Sequence, residues 1–444
     1  MPTQTRLRLV NGAKPDRLDD SLVAADRPGT RWHLRANWEA RLLGPQAPDW
    51  FNLESERRAE HIKSGHQRKT WRIALDGDIV FAKVIELRGW RSRLKHHLLG
   101  TALAREWRAS LRAEAIGVPV VRCLAFGQAI GGPARLVLLT QSQAHASSLV
   151  EAWLRCNAEE PADERRSGAA AIVDAVAMLV ATAHVRGFVH GDEHPNNILL
   201  ARRDPPSGVT ASYVDTHAAR FLSAPIALHR TLGSLAQLDQ FFHRVATRTQ
   251  RLRFLERYIE ARRVLGVAGD LPPGKRQLLR RLARVTGRHA NRLARHWDRR
   301  IGRNGKYFKT IRFDQGWKVT LVLALERRHV FPEAHVPERT EEDWRALLGP
   351  ILRRVEALPC GEAIDSGGLH AECDRLTGLV QRIGATIGRS PARQVFERCH
   401  QLRHRDVHAE LILGYGERRR NGLADRTILV RARTPVRPDA KTLS

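Results

Sequence analysis

The first part of the chain alternates short apolar runs with polar turns. A β-hairpin is predicted by TWRIAL and DIVFAKVIEL, two runs rich in β-branched and aromatic residues that DGD separates. A helix is predicted by GTALAREWRASLRAEAI, which ends at Gly117, before Pro119. Two further strands are predicted by VVRCLAFG and ARLVLLTQ. We therefore expect a small β-rich lobe over residues 51–145, after a loosely structured lead-in at 1–50.

The pattern becomes helical after Gln141. One long, largely buried helix is predicted by RRSGAAAIVDAVAMLVATAHVRG, with Ser167 as its N-cap and Gly187 as its stop. Helical spacing continues in GSLAQLDQFFHRVATRTQRLRFLERYIEARRVLG. Residues 146–270 should therefore form a larger helical lobe, which places the chain in the α+β class with two unequal lobes.

A dense polar loop, GFVHGDEHPNNILL, follows the long helix and is flanked by apolar runs. Asp192 and Asn197 stand five residues apart, which is the spacing of the base and the Mg²⁺-binding amide in a kinase catalytic loop. His190 and His194 are expected to brace this loop or to face the substrate, and not to bind metal.

The other parts of a phosphate-transfer site occur in the right order. Such a site needs a cation at the phosphates of ATP, oxygen ligands for Mg²⁺ and a carboxylate that orients the attacking hydroxyl. Lys83 lies in an apolar strand, where an ammonium is costly unless it meets an anion, and Glu106 is a helix carboxylate that can hold it. Asp215 ends a β-rich run and would be the main Mg²⁺ carboxylate. Gly65 is the only glycine in IKSGHQRKTW, where a loop covering the phosphates is expected.

Each residue also has an ordinary structural interpretation. Lys83 can extend to solvent from an edge strand, Glu106 can be a surface acid on its helix, and Asp215 can be a turn residue. Their common order and spacing favour the joint catalytic interpretation.

A second kinase-like triplet occurs near the C-terminus, at His404-Arg405-Asp406. The residue five positions after the aspartate is Leu411, which cannot bind a metal ion. We therefore reject this triplet as a catalytic loop.

The charge of the chain changes which partners are expected. It has 444 residues, with 75 Lys and Arg against 47 Asp and Glu, a formal net charge of +28. Such a surface attracts nucleic acid, anionic lipid head groups, nucleotides or sugar phosphates. Five scattered cysteines without paired spacing predict reduced thiols, with neither disulfides nor a zinc site. With no signal-peptide core and no apolar run of about 20 residues, we expect a soluble, cytoplasmic protein.

The charge is concentrated in a basic helical linker at 271–304. Its segment 275–303 carries eleven Lys and Arg and one acid, either as a solvated helix face or as a surface that faces an anion. Aromatic residues make up 6% of the chain, which offers little stacking platform for single-stranded nucleic acid.

These motifs resemble the lipopolysaccharide kinase (Kdo/WaaP) family of the protein-kinase-like superfamily. The resemblance rests on VHGDEHPNNILL followed by YVDTHAARF, and it covers residues 60–265. FAKVI around Lys83, REW with Glu106, GVPVVRCLAFG, LVLLTQ and RLRFLERYI add further matches.

The resemblance implies a bilobal kinase fold and phosphorylation of a lipopolysaccharide core sugar, heptose or Kdo, with ATP and Mg²⁺. Lys83 would contact the phosphates and Glu106 would pair with it, while Asp192 would be the base. Asn197 and Asp215 would bind the metal. The adenine would lie at a hinge near Thr140 and Gln141. The enzyme would work at the inner face of the inner membrane, with its basic helix at 275–303 on anionic lipid.

The chain departs from the family pattern at two places. An Asp-Leu pair that braces the catalytic loop is replaced by Ser234-Leu235. The arginine common before the catalytic aspartate is Gly191, a form shared with aminoglycoside and choline phosphotransferases. A protein or small-molecule acceptor therefore stays open, as does a non-catalytic pseudokinase or nucleic-acid-binding scaffold.

The C-terminal region, residues 305–444, contains a loose internal repeat of the first lobe. Gly127 and Leu124 correspond to Gly416 and Leu413, each 289 positions later, and Glu106 would correspond to Val395. We expect a degenerate second small lobe that has lost its catalytic residues.

Overall fold

A computed structural model describes residues 21–64, 68–87, 101–130, 135–159, 162–202, 208–267, 275–325, 337–357 and 362–432. The chain divides into two compact units, residues 1–286 and 287–444, and the boundary falls within a helix. Each unit has its own sheet and its own apolar core.

The first unit begins with a seven-stranded antiparallel sheet in the order β1-β2-β6-β7-β5-β4-β3. Its strands are β1 (Leu22–Arg27), β2 (Thr30–Arg35), β3 (Ala59–Ser64), β4 (Arg68–Leu75), β5 (Asp78–Glu86), β6 (Cys123–Ala129) and β7 (Arg135–Gln141). A short helix, α1 (Glu39–Leu43), follows β2, and α2 (Ala102–Ala115) lies between β5 and β6. The predicted hairpin is confirmed: Asp76 and Gly77 both have positive φ, as a tight two-residue turn between twisted strands requires.

The prediction of a loose lead-in through residue 50 is wrong for its described part. β1 and β2 extend the sheet, and β2 pairs directly with β6. Trp32, Trp38 and Trp50 are buried in the core of this lobe. Their large apolar area outweighs the turn-rich composition that suggested loose structure.

The larger lobe is helical, as predicted. Its helices are α3 (Leu149–Glu159), α4 (Ala162–Val185), α5 (Leu228–Val245), α6 (Arg248–Val264) and the start of α7 (Lys275–Asp298). α4 begins five residues before Ser167, so the predicted N-cap is wrong; Asp163 and Glu164 in its first turn suit the positive end of the helix dipole. Gly187 does stop the helix, with a φ of 79°.

Among the described residues, α4 alone is long and apolar enough to cross a membrane by length and composition. More than half of its most apolar stretch is buried inside the lobe, where it packs against α6. α4 is therefore the core helix of this lobe. A neighbouring apolar cavity of about 50 Å³ is lined by residues of α3 to α7, among them Trp153, Val176 and Phe242.

Two small sheets, formed by a strand before α3 and by strands between α4 and α5, carry the polar loops. One contains β8 (Ala146–Ser148), β10 (Ile198–Arg202) and β11 (Val209–Tyr213), and the other pairs β9 (Phe188–Val189) with β12 (Arg220–Phe221). The region expected to be a linker, 271–304, is not a free connection in its first half. Leu278 and Leu282 of α7 are buried in the core of the helical lobe.

The second unit contains a six-stranded antiparallel sheet in the order β13-β14-β17-β18-β16-β15. Its elements are β13 (Phe308–Arg312), β14 (Trp317–Val322), α8 (Glu341–Ala357), β15 (Ala363–Ser366), β16 (Leu369–Arg375), α9 (Leu379–Thr386), α10 (Pro391–His404), β17 (Ile412–Arg420) and β18 (Leu423–Ala432). Without β3, the first sheet has the same order, with β1, β2, β6, β7, β5 and β4 in the corresponding places.

The packing extends this correspondence and bears out the predicted repeat. Trp107 of α2 and Phe396 of α10 stand 289 positions apart and each lies in the core between helix and sheet. In the ladders, Lys83 lies opposite Leu138, while Glu372 lies opposite Leu429 at the corresponding place. The second small lobe thus has a carboxylate where the first has its buried ammonium.

Gly127 allows a close contact that the first sheet needs. A Cβ atom at this position would stand 2.6 Å from the ring of Trp32, which is itself buried. We expect Gly127→Ala to destabilise the first unit by about 1–3 kcal/mol, because the ring or the strand must move. Calorimetric or circular-dichroism melting would measure the change.

The matched control is Gly233→Ala in α5, where an added Cβ meets no atom within 4 Å. Alanine favours a helix over glycine, so this variant should be neutral or up to about 1 kcal/mol more stable. Equal melting of Gly127→Ala and wild type would contradict the close packing.

Candidate active site

Lys83 lies on a central strand of the first sheet, where β4 and β7 flank it. It is 9% exposed, so the edge-strand interpretation is wrong. Its Nζ donates to Glu106 Oε1 of α2 at 2.5 Å and also to Asp215. Burial lowers the pKa of Lys83, but the carboxylates of Glu106 and Asp215 outweigh it and hold that pKa above its usual value. The lysine is therefore a buried ammonium.

Asp215 sits in a sharp turn directly after β11, with φ 57° and ψ 45°. This left-handed conformation is one that aspartate tolerates better than most side chains. Its carboxylate accepts from Lys83 and, at 3.0 Å, from Arg68 Nη2 at the start of β4. Burial alone would raise the pKa of Asp215, but these two cations hold it well below its usual range. The carboxylate thus lies where positive charge is strongly favoured.

The turn that carries Asp215 is fastened to α2 by hydroxyl contacts. Thr216 Oγ1 lies 2.8 Å from Ser110 Oγ and donates to the backbone oxygen of Glu106 at 3.3 Å. All of these groups are buried. The helix that supplies Glu106 and the turn that supplies Asp215 are therefore held together independently of Lys83.

Asp192 and Asn197 are joined within the catalytic loop. Asn197 Nδ2 donates to the backbone oxygen of Asp192 at 2.8 Å and to its Oδ2 at 3.1 Å. The backbone oxygen of Asn197 accepts from Val214 N at 2.9 Å, immediately before Asp215. A backbone hydrogen bond therefore joins the loop of Asp192 and Asn197 to the turn of Asp215.

His190 braces the same connection, as expected. Its Nε2 lies 2.7 Å from the backbone oxygen of Val214, to which it donates, and burial lowers the pKa of its ring. Gly191 has a φ of 80°, and a Cβ there would stand 2.2 Å from the backbone oxygen of Ala218. An arginine at position 191 would not fit this backbone, which explains the departure from the family pattern.

Glu193 is a buried acid that sequence analysis missed. Its Oε1 accepts from the hydroxyl of Tyr213 at 2.5 Å, and its backbone N donates to Gln237 Oε1 at 2.7 Å. Among the described residues its Oε2 has no hydrogen-bond partner. Burial raises the pKa of Glu193 to about 7. The sequence next to Asp192 does not predict this burial, because Glu193 meets Tyr213 of β11 only in the folded chain.

Arg68 was also missed, although it lies in the segment examined for a phosphate-covering loop. The loop was predicted from its glycine content, whereas the residue of this segment that contacts Asp215 is the cation Arg68. Gly65 itself lies outside the described residues. β3 ends at Ser64 and β4 begins at Arg68, and these two strands pair antiparallel on either side of the predicted loop.

Thr140 and Gln141 end β7, just before the chain enters β8 of the helical lobe. Thr140 is buried, and the backbone N of Gln141 donates to Arg122 O at 2.9 Å. That donor is therefore occupied by the protein, and the contact with adenine stays a prediction.

The structure thus brings Lys83, Glu106 and Asp215 into one ion cluster and links it through the backbone to the loop of Asp192 and Asn197. In the described part of the chain, no group of three or more His, Cys, Asp or Glu side chains could hold a metal by itself. A kinase site does not require such a group of three side chains. Phosphate oxygens of the nucleotide complete the coordination shell of Mg²⁺ together with one carboxylate and one amide oxygen.

Residues 57–258 match the sequence model of the lipopolysaccharide kinase (Kdo/WaaP) family. This segment is therefore similar to the lipopolysaccharide kinase (Kdo/WaaP) family over somewhat less than half of the chain. The family consists of kinases, and the chain is a phosphotransferase with an alcohol group as acceptor. The second unit lies outside the matched residues.

Individual relatives of this kinase domain are distant. The chain is 29% identical over 199 residues to lipopolysaccharide core heptose(I) kinase WaaP of Pseudomonas aeruginosa, covering 43% of this chain and 73% of that protein. A solved structure of WaaP in complex with acyl carrier protein is 23% identical and covers 58% of this chain and 98% of that one, with a TM-score of 0.41. The BubR1 kinase domain is 14% identical over 58% of this chain and 67% of that one, with a TM-score of 0.28.

The raised pKa of Glu193 predicts a pH-dependent stability. The folded kinase domain holds this proton up to about pH 7, whereas an unfolded chain releases it near 4.5. Its stabilising contribution is therefore present below the unfolded pKa and is lost as the pH rises towards 7. We expect wild type to lose about 1–3 kcal/mol relative to Glu193→Gln between pH 5 and pH 8.

Urea unfolding of both proteins across this pH range would measure the difference. Glutamine keeps the size of the side chain and an oxygen that can accept from Tyr213. A constant difference in unfolding free energy between the two proteins would show that Glu193 titrates normally.

Proposed function

We propose that this chain transfers the γ-phosphate of ATP, with Mg²⁺, to a sugar hydroxyl of the lipopolysaccharide core, heptose or Kdo, or of a related lipid-linked glycan. One observation carries the proposal: Lys83, Glu106 and Asp215 meet in one ion cluster beside the Asp192 loop, inside a lipopolysaccharide kinase family domain. The acceptor follows from the family and from the relative whose name specifies heptose(I) of the core.

In this proposal Lys83 binds the α- and β-phosphates of ATP, and Glu106 holds its ammonium in place. The 2.5 Å contact between them already positions the ammonium without nucleotide. Glu106 Oε2 is buried without a hydrogen-bond partner in the described chain, and Oε1 accepts from Lys83. A neutral substitute at either position would leave the other charge buried and unpaired.

Asp215 and Asn197 are the proposed ligands of Mg²⁺. When bound, Mg²⁺ neutralises charge on the transferring phosphate and orients it. The residues fit this ion, because they offer one carboxylate and one amide, the hard oxygen donors it prefers. The two cations now paired with Asp215 indicate the same demand for positive charge at that carboxylate.

Asp192 is the proposed base. Its carboxylate and its backbone are both held by Asn197, which fixes the direction of the carboxylate. The acceptor oxygen attacks the γ-phosphorus, its proton passes to Asp192, and the bond to the β-phosphate oxygen breaks to release ADP. Adenine would lie against the end of β7, at Thr140 and Gln141.

A lipid-linked acceptor places the enzyme at a membrane surface, and we propose a cytoplasmic protein that contacts the inner face. The basic segment 275–303 is proposed to face anionic lipid, since α7 turns Arg280, Arg284 and Arg288 to solvent. This arrangement needs no nucleic-acid partner.

A small-molecule acceptor is the second candidate, because Gly191 has the form shared with small-molecule kinases and its backbone excludes a larger residue. Labelled ATP offered with lipid A–core, peptides and aminoglycosides in separate reactions would separate these acceptors. Phosphorylation of lipid A–core alone is expected.

Asp215→Asn should lower kcat by at least about 10²-fold, because a neutral amide holds Mg²⁺ and the phosphates poorly. The fold should persist, since Thr216 still joins the turn to α2. Single-turnover phosphorylation and thermal melting would measure the two effects.

The matched control is Asp163→Asn, the same substitution at a side chain that is 96% exposed on α4. It should leave kcat unchanged. An Asp215→Asn enzyme with full activity would refute the proposed metal site.

Arg68→Gln should weaken binding of MgATP by about tenfold. Arg68 donates to Asp215, the proposed Mg²⁺ ligand, so its guanidinium would lie close to bound phosphates and could donate to them. Fluorescent-nucleotide titration would measure the affinity without requiring turnover.

Arg72→Gln is the control, because it removes the same charge from the same strand at a residue paired with exposed Glu60. It should bind MgATP as wild type does. Tighter binding in Arg68→Gln would show instead that Arg68 only blocks the metal ligand.

A further inference from the structure

Helix α9 of the second unit presents its large apolar side chains to solvent. Leu379, Val380 and Ile383 of the helix are 63%, 84% and 45% exposed, and Ile387, directly after its last residue, is 66% exposed. These positions fall within about 100° of one helical face, at spacings of one, four and eight residues. Exposed aliphatic residues are ordinary when scattered, but four on one face of a short helix form a patch.

The opposite face of α9 is small, and polar contacts at the end of the helix attach it to the second unit. Ala385 is fully buried and packs in a small cluster with Leu376 and Ala424. Thr386 Oγ1 accepts from Ala424 N at 2.9 Å, and its backbone oxygen accepts from Arg419 Nη2 at 2.9 Å. The hairpin of β17 and β18 thus fixes the helix with its alanine inward and its larger aliphatic residues outward.

This orientation is the reverse of what folding alone favours. Burying an isoleucine or leucine stabilises a protein far more than burying an alanine. A helix held with its aliphatic face outward therefore loses stability in the isolated unit, unless another surface covers that face.

The charge around the patch identifies what covers it. Between Arg375 and Arg393 the chain has four arginines and no acid, and Arg419 adds another at the end of the helix. Asp374 precedes this segment and Arg393 pairs with Glu397 at 2.8 Å, so the cluster keeps an excess of positive charge. A second copy of the chain would place this cluster against itself in a two-fold contact, which like charge disfavours. Nucleic acid would satisfy the arginines but would leave the aliphatic residues uncovered.

We propose that α9 inserts its aliphatic face into the interface of an anionic lipid membrane, with the surrounding arginines on the head groups. Aliphatic side chains beside arginines on one exposed helix suit both layers of such an interface. The surface belongs to the second unit, and the proposal does not depend on the proposed function. It differs from α7, whose exposed face supplies charge without an aliphatic patch.

Flotation of the full chain with vesicles tests the proposal, using phosphatidylcholine alone and phosphatidylcholine with phosphatidylglycerol. Wild type should bind the anionic vesicles, and part of this binding should resist high salt, which screens charge but not apolar insertion. Val380→Asp should lower the salt-resistant binding by about tenfold or more.

Val264→Asp is the matched control, because Val264 is 77% exposed at the end of α6, outside the patch. It should bind vesicles as wild type does. Arg389→Gln combined with Arg419→Gln should reduce binding at low salt by about fivefold per arginine. All variants should phosphorylate a detergent-solubilised acceptor equally, which separates this surface from the catalytic site.

Three results would overturn the proposal. Val380→Asp could bind anionic vesicles as tightly as wild type at high salt. Wild type could bind neutral and anionic vesicles equally. Sedimentation could show a dimer that Val380→Asp dissociates, which would assign the patch to a second copy.

Discussion

The buried ammonium of Lys83 is the interaction on which the kinase domain depends. Removing such a charge from water costs several kcal/mol unless partners replace its hydration. The partners come from distant parts of the chain: Glu106 from α2 and Asp215 from the turn after β11. The ammonium of Lys83 is therefore stabilised only when the sheet, α2 and the turn after β11 come together. The buried hydroxyls of Thr216 and Ser110 make the same connection without charge, so the geometry does not rest on electrostatics alone.

The second unit contains a sheet of the same strand order without a buried ammonium at the position of Lys83. It repeats the strand order and the helix-to-sheet packing, yet Glu372 occupies the ladder position of Lys83 and pairs with Arg431 near the surface. Val395, at the position of Glu106, is 41% exposed. The apolar rows are kept in both sheets, whereas the polar residues at the positions of Lys83 and Glu106 are replaced in the second. Architecture and chemistry are therefore separable in this small lobe.

Much of the first unit could be predicted because its signals are local. A two-residue turn at Asp76, helix ends at glycine and the five-residue spacing from Asp192 to Asn197 are readable from short segments. The strands before residue 50 could not, because their stability comes from tryptophans buried against strands distant in sequence. Arg68 and Glu193 were missed for the same reason: each acquires its role from a partner that only the folded chain brings near.

The charge of the chain acts mainly outside the catalytic cluster. Lys83 and Arg68 are both matched by carboxylates, so the site accounts for little of the net charge of +28. The segment 275–303 has eleven basic residues and one acid, a net of +10, more than a third of that total. Charge so concentrated attracts an anionic surface over a Debye length of about 8 Å at physiological salt. Under the proposed function, the cations paired with carboxylates would hold a nucleotide at fixed geometry. The excess charge of segment 275–303 would hold the enzyme near its acceptor.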